Sequence, residues 1–407
     1  MKMTYIIGTF DTKEPELTYV AELVRSAGAP VRTVDVSAKP VRSSADVSNG
    51  EVAGFHPSNT GFLGTTADRG EAVSLMSDAL SAYLLSRDDI GGVLGIGGSG
   101  NTALVTAAMR RLPVGLPKLM VSTVASGDVQ PYVGPNDIAM MYSVTDVAGI
   151  NAISRKVLGN AAHAIAGMVV NSPPEAANEK PTLAMTMFGV TTPCVTAVRE
   201  SLESEFDVLV FHATGTGGQS MEKLVDSGMV SHVIDITTTE VCDLHMGGVF
   251  SAGEDRFGAF IRRGIPYVGS VGALDMVNFA AMPTVPTQYK ERNLYVHNAN
   301  VTLMRTTREE NEAMGGWIGE RLNRMPGAVR FLLPERGVSL IDAEGQPFFD
   351  QEADQALFDA IERTVVPTRD HRVVRVDANV NDPEFSAALV DAFREVHGLQ
   401  AQQRGRT

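Results

Sequence analysis

Cysteine is almost absent from the 407-residue chain: Cys194 and Cys242 are too few for a disulfide framework or a cysteine-rich zinc site, and they suit a reducing compartment. Long apolar runs are missing too. The start, Met1-Lys2-Met3-Thr4-Tyr5-Ile6-Ile7, turns to glycine and charge before a signal-peptide core is reached, and no later run approaches the roughly 18 to 20 apolar residues of a membrane span. The expected compartment is the cytoplasm. Basic charge is in deficit, 34 Lys and Arg against 48 Asp and Glu, and the formal net charge of -14 repels nucleic-acid backbones and anionic membranes. No Gly-x-x-x-x-Gly-Lys-Ser/Thr string and no kinase signature set occurs, which excludes a P-loop NTPase.

What remains is a globular composition, 44% hydrophobic with 39 Gly, on a chain long enough for two cores. Apolar, β-branched runs at Thr4 to Ile7, Val31 to Val36, Gly91 to Ile96 and Lys118 to Ser122 read as strands. Helical patterns lie between them, with helices expected over Arg69 to Leu85, Asn101 to Arg111 and Val144 to Val170. This alternation predicts a parallel sheet. Three prolines in an aperiodic stretch mark a linker over 172–181. Beyond it the grammar recurs, with strands at Thr182 to Phe188, Asp207 to His212, Val230 to Ile236, Pro266 to Val271, Asn293 to His297, Ala328 to Leu333 and Arg372 to Val376. The expectation is α/β: two similar Rossmann-like, doubly wound subdomains, 1–171 and 182–400, facing a cleft, with a flexible tail at 401–407.

In such sheets ligands sit outside the carboxyl ends of the strands, where helix N-termini offer unpaired N–H groups. Gly97, Gly98, Ser99 and Gly100 fall at one such end, and Gly215, Thr216, Gly217 and Gly218 at another that is taken to be equivalent. Glycine lets the backbone curl around a phosphate; it also simply makes turns. Thr9, Asp11, Thr12, Lys13, Thr191 and Thr192 would rim the same cleft with small donors and one cation.

The run Asp235-Ile236-Thr237-Thr238-Thr239-Glu240-Val241-Cys242-Asp243-Leu244-His245 is the densest polar cluster. Glu240, Asp243 and His245 are candidate acid–base groups or ligands to Mg²⁺ or another divalent metal, though their spacing matches no zinc signature. The alternative is that the carboxylates cap helices. His212 and His297 either join that site or bond the loops beside them, and Arg305 and Arg308 either bind an anion or lie on a solvated helix start.

Several unusual strings carry a resemblance: Gly8-Thr9-Phe10-Asp11-Thr12-Lys13, Gly97-Gly98-Ser99-Gly100, Val121-Ser122-Thr123-Val124-Ala125-Ser126-Gly127, His212-Ala213-Thr214-Gly215-Thr216-Gly217-Gly218 and Thr237-Thr238-Thr239-Glu240-Val241. From about Thr4 to Phe358 the sequence resembles the Tm-1-like, UPF0261 family. The resemblance implies paired α/β subdomains holding a nucleotide, ATP, with or without Mg²⁺, and a tendency to form a homodimer or higher homo-oligomer. Plant members carry a further barrel domain and inhibit a tobamovirus; without that barrel, a metabolic role is expected. Two other functions stand beside nucleotide binding. One is a hydrolase or lyase acting on a small anionic metabolite such as a sugar acid, and the other is a sugar-nucleotide enzyme.

Overall fold

The computed structural model describes residues 2–58, 61–63, 65, 68–171 and 180–404. Two compact units, Met1–Ala176 and Ala177–Thr407, each contain a parallel sheet. Most of the expected linker, 172–179, lies outside the described residues, as does the end of the tail, 405–407.

The first unit runs β1 (Met3–Gly8), α1 (Phe10–Ser26), β2 (Val31–Asp35), α2 (Asn49–Ala53), α3 (Arg69–Leu85), β3 (Ile90–Gly97), α4 (Ser99–Met109), β4 (Lys118–Ser122), α5 (Gln130–Val133), β5 (Ala139–Tyr142) and α6 (Ala152–Val170). Its strands pair in the order β2-β1-β3-β4-β5, all parallel. Period-two alternation explains why both faces are buried. Tyr5, Ile7 and Val93 join Met76, Leu80 and Val105 on one face, while Ile6, Leu94 and Val121 join Leu17, Val20 and Ile165 on the other.

The second unit continues with β6 (Thr182–Met187), α7 (Thr192–Leu202), β7 (Asp207–His212), α8 (Thr216–Asp226), β8 (His232–Thr237), α9 (Glu240–Met246), α10 (Gly258–Arg263) and β9 (Tyr267–Gly272). Then come β10 (Met276–Phe279), β11 (Leu294–Asn298), β12 (Val301–Arg305), α11 (Arg308–Arg324), β13 (Val329–Pro334), α12 (Gln351–Thr364), β14 (His371–Val376) and α13 (Pro383–Arg404). Its main sheet reads β7-β6-β8-β9-β13-β14. Counted within each parallel sheet the first five strands have the same order, 2-1-3-4-5, so both units are doubly wound with a reversal of direction between the first and third strands of the sheet.

That order corrects one expectation. Gly97–Gly100 follows the third strand of its unit, at the reversal, whereas Gly215–Gly218 follows the second strand, β7, on the sheet edge. The counterpart of the first glycine loop is Thr237 to Glu240, after β8.

Three further differences have local causes. The helix expected from Val144 begins at Ala152: Val144 sits at φ 66, outside helical space, and Asn151 and Ser154 form a capping box. Helix α1 starts at Phe10, within the stretch expected to rim the cleft, but breaks at Lys13 (φ -131), and Pro15, lacking an N–H, suits the turn that restarts it. The strand expected at Asn293 to His297 does not join the parallel sheet. It forms β11 of a small antiparallel sheet, β10-β12-β11.

Candidate functional site

At the reversal of the first unit, the chain leaves β1 and β3, which are paired, by the two loops marked in the sequence. The first has spent its main-chain donors. Phe10 N–H donates to Asp35 Oδ1 at 3.2 Å, Asp11 N–H to Ser37 Oγ at 3.2 Å, and Thr12 and Lys13 N–H to the Thr9 carbonyl at 3.2 and 2.9 Å. Asp35, fully buried, acts as a built-in anion at the start of α1, and its Oδ1 also accepts from Ser37 N–H and Oγ. The backbone of this loop is therefore taken up within the chain, and the rim expected of it rests on its side chains. Thr9 and Thr12 hydroxyls, 3.0 Å apart, and the Lys13 ammonium remain on offer, beside the exposed Asp11 carboxylate.

The second loop is arranged differently. Gly98 is the N-cap of the 11-residue α4 and supplies no capping side chain, so the first-turn N–H groups of Ser99, Gly100 and Asn101 lack intrahelical acceptors. Ser99 and Gly100 are exposed. A Cβ built on Gly100 would meet nothing within 4 Å, and one on Gly98 only Thr123 Oγ1 at 3.7 Å. Gly97 has another role, because a Cβ there would press on the Asn101 side chain at 2.7 Å. Asn101 Nδ2 donates to the Ile96 carbonyl at 2.7 Å and its Oδ1 is buried without a partner, a feature the sequence reading missed. Thr102 Oγ1 and Ser122 Oγ, 2.6 Å apart, tie α4 to the end of β4.

In the second unit the glycine loop is already filled. Glu240 Oε1 accepts from Gly215 N–H at 2.8 Å and Gly218 N–H at 3.0 Å, and its Oε2 accepts from Arg256 Nε at 2.9 Å. A Cβ on Gly218 would collide with that carboxylate, and one on Gly217 with the His212 carbonyl. Glycine is required here by internal packing, so the assignment of Gly215, Thr216, Gly217 and Gly218 as a phosphate cradle does not fit. Gly218→Ala is expected to destabilise the chain by about 1–3 kcal/mol through overpacking, read from urea denaturation midpoints.

Arg256, 2% exposed, also binds Asp235 Oδ1 at 2.8 Å and Glu222 Oε1 at 3.2 Å. Burial pushes Glu222 up to about 7 in spite of the guanidinium, and raises Glu240 likewise. Burial alone would lower Arg256, but Asp235, Glu240 and Glu222 hold it well above its ordinary value.

The other reversal, between β6 and β8, is closed by the chain itself. Thr191 is buried with its Oγ1 2.8 Å from Thr237 Oγ1, and Thr192 Oγ1 donates back to the Gly189 carbonyl at 3.2 Å. Asn381 Nδ2 and Leu340 N–H both reach the Val190 carbonyl, each at 3.0 Å. Neither threonine is a free donor of the kind expected.

Of Glu240, Asp243 and His245 only the two carboxylates come together, which corrects the reading of all three as one acid–base cluster. Positions 240 and 243 share the buried face of α9, and His245 is on the exposed one. Asp243, pushed by burial up to about 7, accepts from Asn278 N–H at 2.6 Å and Nδ2 at 2.9 Å. The His245 ring meets Trp317 edge-on at 5.7 Å, and burial with the nearby Arg321 charge lowers its pKa. Among the described residues no three His, Cys, Asp or Glu side chains are placed to hold a metal. His212 packs 5.3 Å from Phe188, and His297 is exposed on β11. Among them, too, no helix is long and apolar enough to cross a membrane.

Family models place this architecture. The N-terminal domain of the uncharacterised protein family UPF0261 matches residues 2–174 and its C-terminal domain matches 180–397. The chain belongs to the UPF0261 family. A UPF0261 protein of Rhizobium meliloti is 56% identical over 396 residues, covering 97% of this chain and 99% of its own length. The UPF0261 protein of Clostridium tetani is 46% identical over 393 residues, 95% and 97% of the two chains. The ToMV resistance protein Tm-1 of Solanum lycopersicum is 43% identical over 417 residues, covering 96% of this chain but 55% of the tomato protein. A solved UDP-N-acetylglucosamine 2-epimerase from Rickettsia bellii overlaps 66% of this chain and 78% of its own at TM-score 0.23 and 10% identity, too low to bear on UPF0261 chemistry.

Proposed function

We propose that this UPF0261 chain binds a phosphorylated small molecule of the nucleotide class, ATP being the first candidate, with a phosphate at the amino end of α4. The observation that carries this reading is the start of that helix: three first-turn N–H groups, a glycine N-cap and open space around Gly100, all at the strand-order reversal. In a chain of net charge -14, an anion site needs such a local source of positive potential. Lys13, which has no ion-pair partner among the described residues, adds a full charge after the neighbouring strand. The orphaned Asn101 Oδ1 suits a hydroxyl on the ligand. Mg²⁺ enters, in this reading, already coordinated to the phosphates.

Calorimetry with ATP, ADP, AMP and inorganic phosphate, with and without Mg²⁺, tests the proposal. Unchanged heats and an unchanged melting temperature at millimolar ATP would remove it. A sharper arm is Gly100→Asp. The new side chain finds room and an acidic group in the first turn favours the helix, so the melting temperature holds while phosphate affinity falls about tenfold or more. A hydrolase or lyase working through Glu240, Asp243 and His245 gains no support from their placement. The expected homodimer is a separate part of the proposal, checked by sedimentation equilibrium at micromolar chain.

A further inference from the structure

Arg305 and Arg308, which the sequence left between an anion site and a solvated helix start, line a cavity of about 240 Å³ in the second unit together with Arg292, Thr307 and Phe348. A second cavity, about 450 Å³, is lined by Glu335, Glu352, Asp354, Phe358 and Asp359, and also by Arg308, so the two adjoin. One is walled by guanidinium groups and the other by carboxylates.

Two ion pairs form the partition. The inner one, Arg305 Nη2 to Asp354 Oδ1 at 2.7 Å, is buried and fixed, since Arg305 also donates to the carbonyls of Phe348 and Asp350 and to Thr306 Oγ1. Arg292 is held by Glu310, and Asp359 and Glu335 by Arg375. The outer pair, Arg308 Nη1 to Glu352 Oε1 at 3.0 Å, has side chains 62% and 77% exposed. Such a pair is worth less than about 1 kcal/mol, so opening it costs little.

A ligand with one charge trades the pair for a single contact: an anion would take Arg308 and release Glu352 to water, and a cation would take Glu352 and release Arg308. A molecule carrying both charges replaces one weak pair with two. We propose that the double cavity binds a small zwitterion, an amino acid or dipeptide, with its carboxylate on Arg308 and its ammonium on Glu352. Phe349, half-buried on the wall of the first cavity, is apolar surface for the ligand's carbon skeleton. This site is independent of the phosphate site on the first unit.

The test is calorimetry of the full chain at low ionic strength with alanyl-alanine, its N-acetyl form, which is only an anion, and its amide, which is only a cation. Binding of the free dipeptide, weakened about tenfold or more by either cap, is expected. Arg308→Gln and Glu352→Gln should each lower its affinity similarly while leaving the melting temperature unchanged, since the pair they break is exposed. No heat from alanyl-alanine or alanine at millimolar concentration would overturn the proposal. So would equal binding of the N-acetyl form, which describes an anion site only, or unchanged affinity in both variants.

Discussion

Arg256→Ala is expected to destabilise the chain by about 3–5 kcal/mol, because it removes the cation that pairs with Glu222, Asp235 and Glu240, all three buried. Those carboxylates are 0 to 9% exposed and Tyr267 already donates to Asp235 Oδ2 at 2.9 Å, so no water-facing route relieves the stranded charge. The damage spreads beyond the ion pairs. Glu240 loses its anchor, and with it the N–H groups of Gly215 and Gly218 lose their acceptor. A fall in melting temperature of roughly 10 °C is the readout. Adding Glu240→Gln to Arg256→Met should recover part of the loss by removing one buried charge. A single variant melting within about 2 °C of wild type would show that the cluster is not held together as described.

The second large effect is a loss of stability as pH rises. Burial, reinforced at Asp275 by neighbouring Asp342, holds Glu222, Asp243 and Asp275 up to about 7, against ordinary values near 4. A folded-state pKa raised above the unfolded value means that the native chain carries protons which the unfolded chain has released. Stability is therefore fully present below about pH 4 for these groups and is lost as pH climbs through about 7. Each contributes a loss on the order of a few kcal/mol at most.

Asp89, held low by Tyr5, and Glu395, held low by Arg330, work the other way at acid pH, so the optimum should be mildly acidic. Asp275→Asn is the diagnostic change. Its Oδ1 has no hydrogen-bond partner while Oδ2 accepts from Ser339 Oγ at 2.8 Å, and a carboxamide keeps the acceptor without the charge. The variant should melt higher than wild type at pH 8 and gain little at pH 5. An equal shift at both pH values would refute the assignment of a held proton.

Much of the architecture could be read from residue periodicity. The strands from Thr4, Val31, Gly91 and Lys118 lie where expected, since continuous β-branched runs are what a sheet buried on both faces demands. The short β5, Ala139–Tyr142, escaped notice because four residues with exposed ends show no such run. Strands β10 and β12 were missed beside β11, whose pattern does not distinguish an antiparallel side sheet from another parallel strand. Both glycine loops follow strands, β3 and β7, as their residues imply, but the difference between them was not legible. What distinguishes them is a partner 22 to 25 residues away in sequence, Glu240, for one loop and open space for the other. Asp35 is the same kind of hidden partner for the loop after β1, 25 residues on from Phe10. Local spacing carries no record of which side chain returns to a turn.

Glu240 has one more consequence. A counter-ion tethered to the same polypeptide is present at an effective concentration no millimolar solute can match, and it cannot diffuse away. The turn it occupies should stay indifferent to added salt, sulfate or phosphate, whereas the amino end of α4 carries no such tethered anion among the described residues.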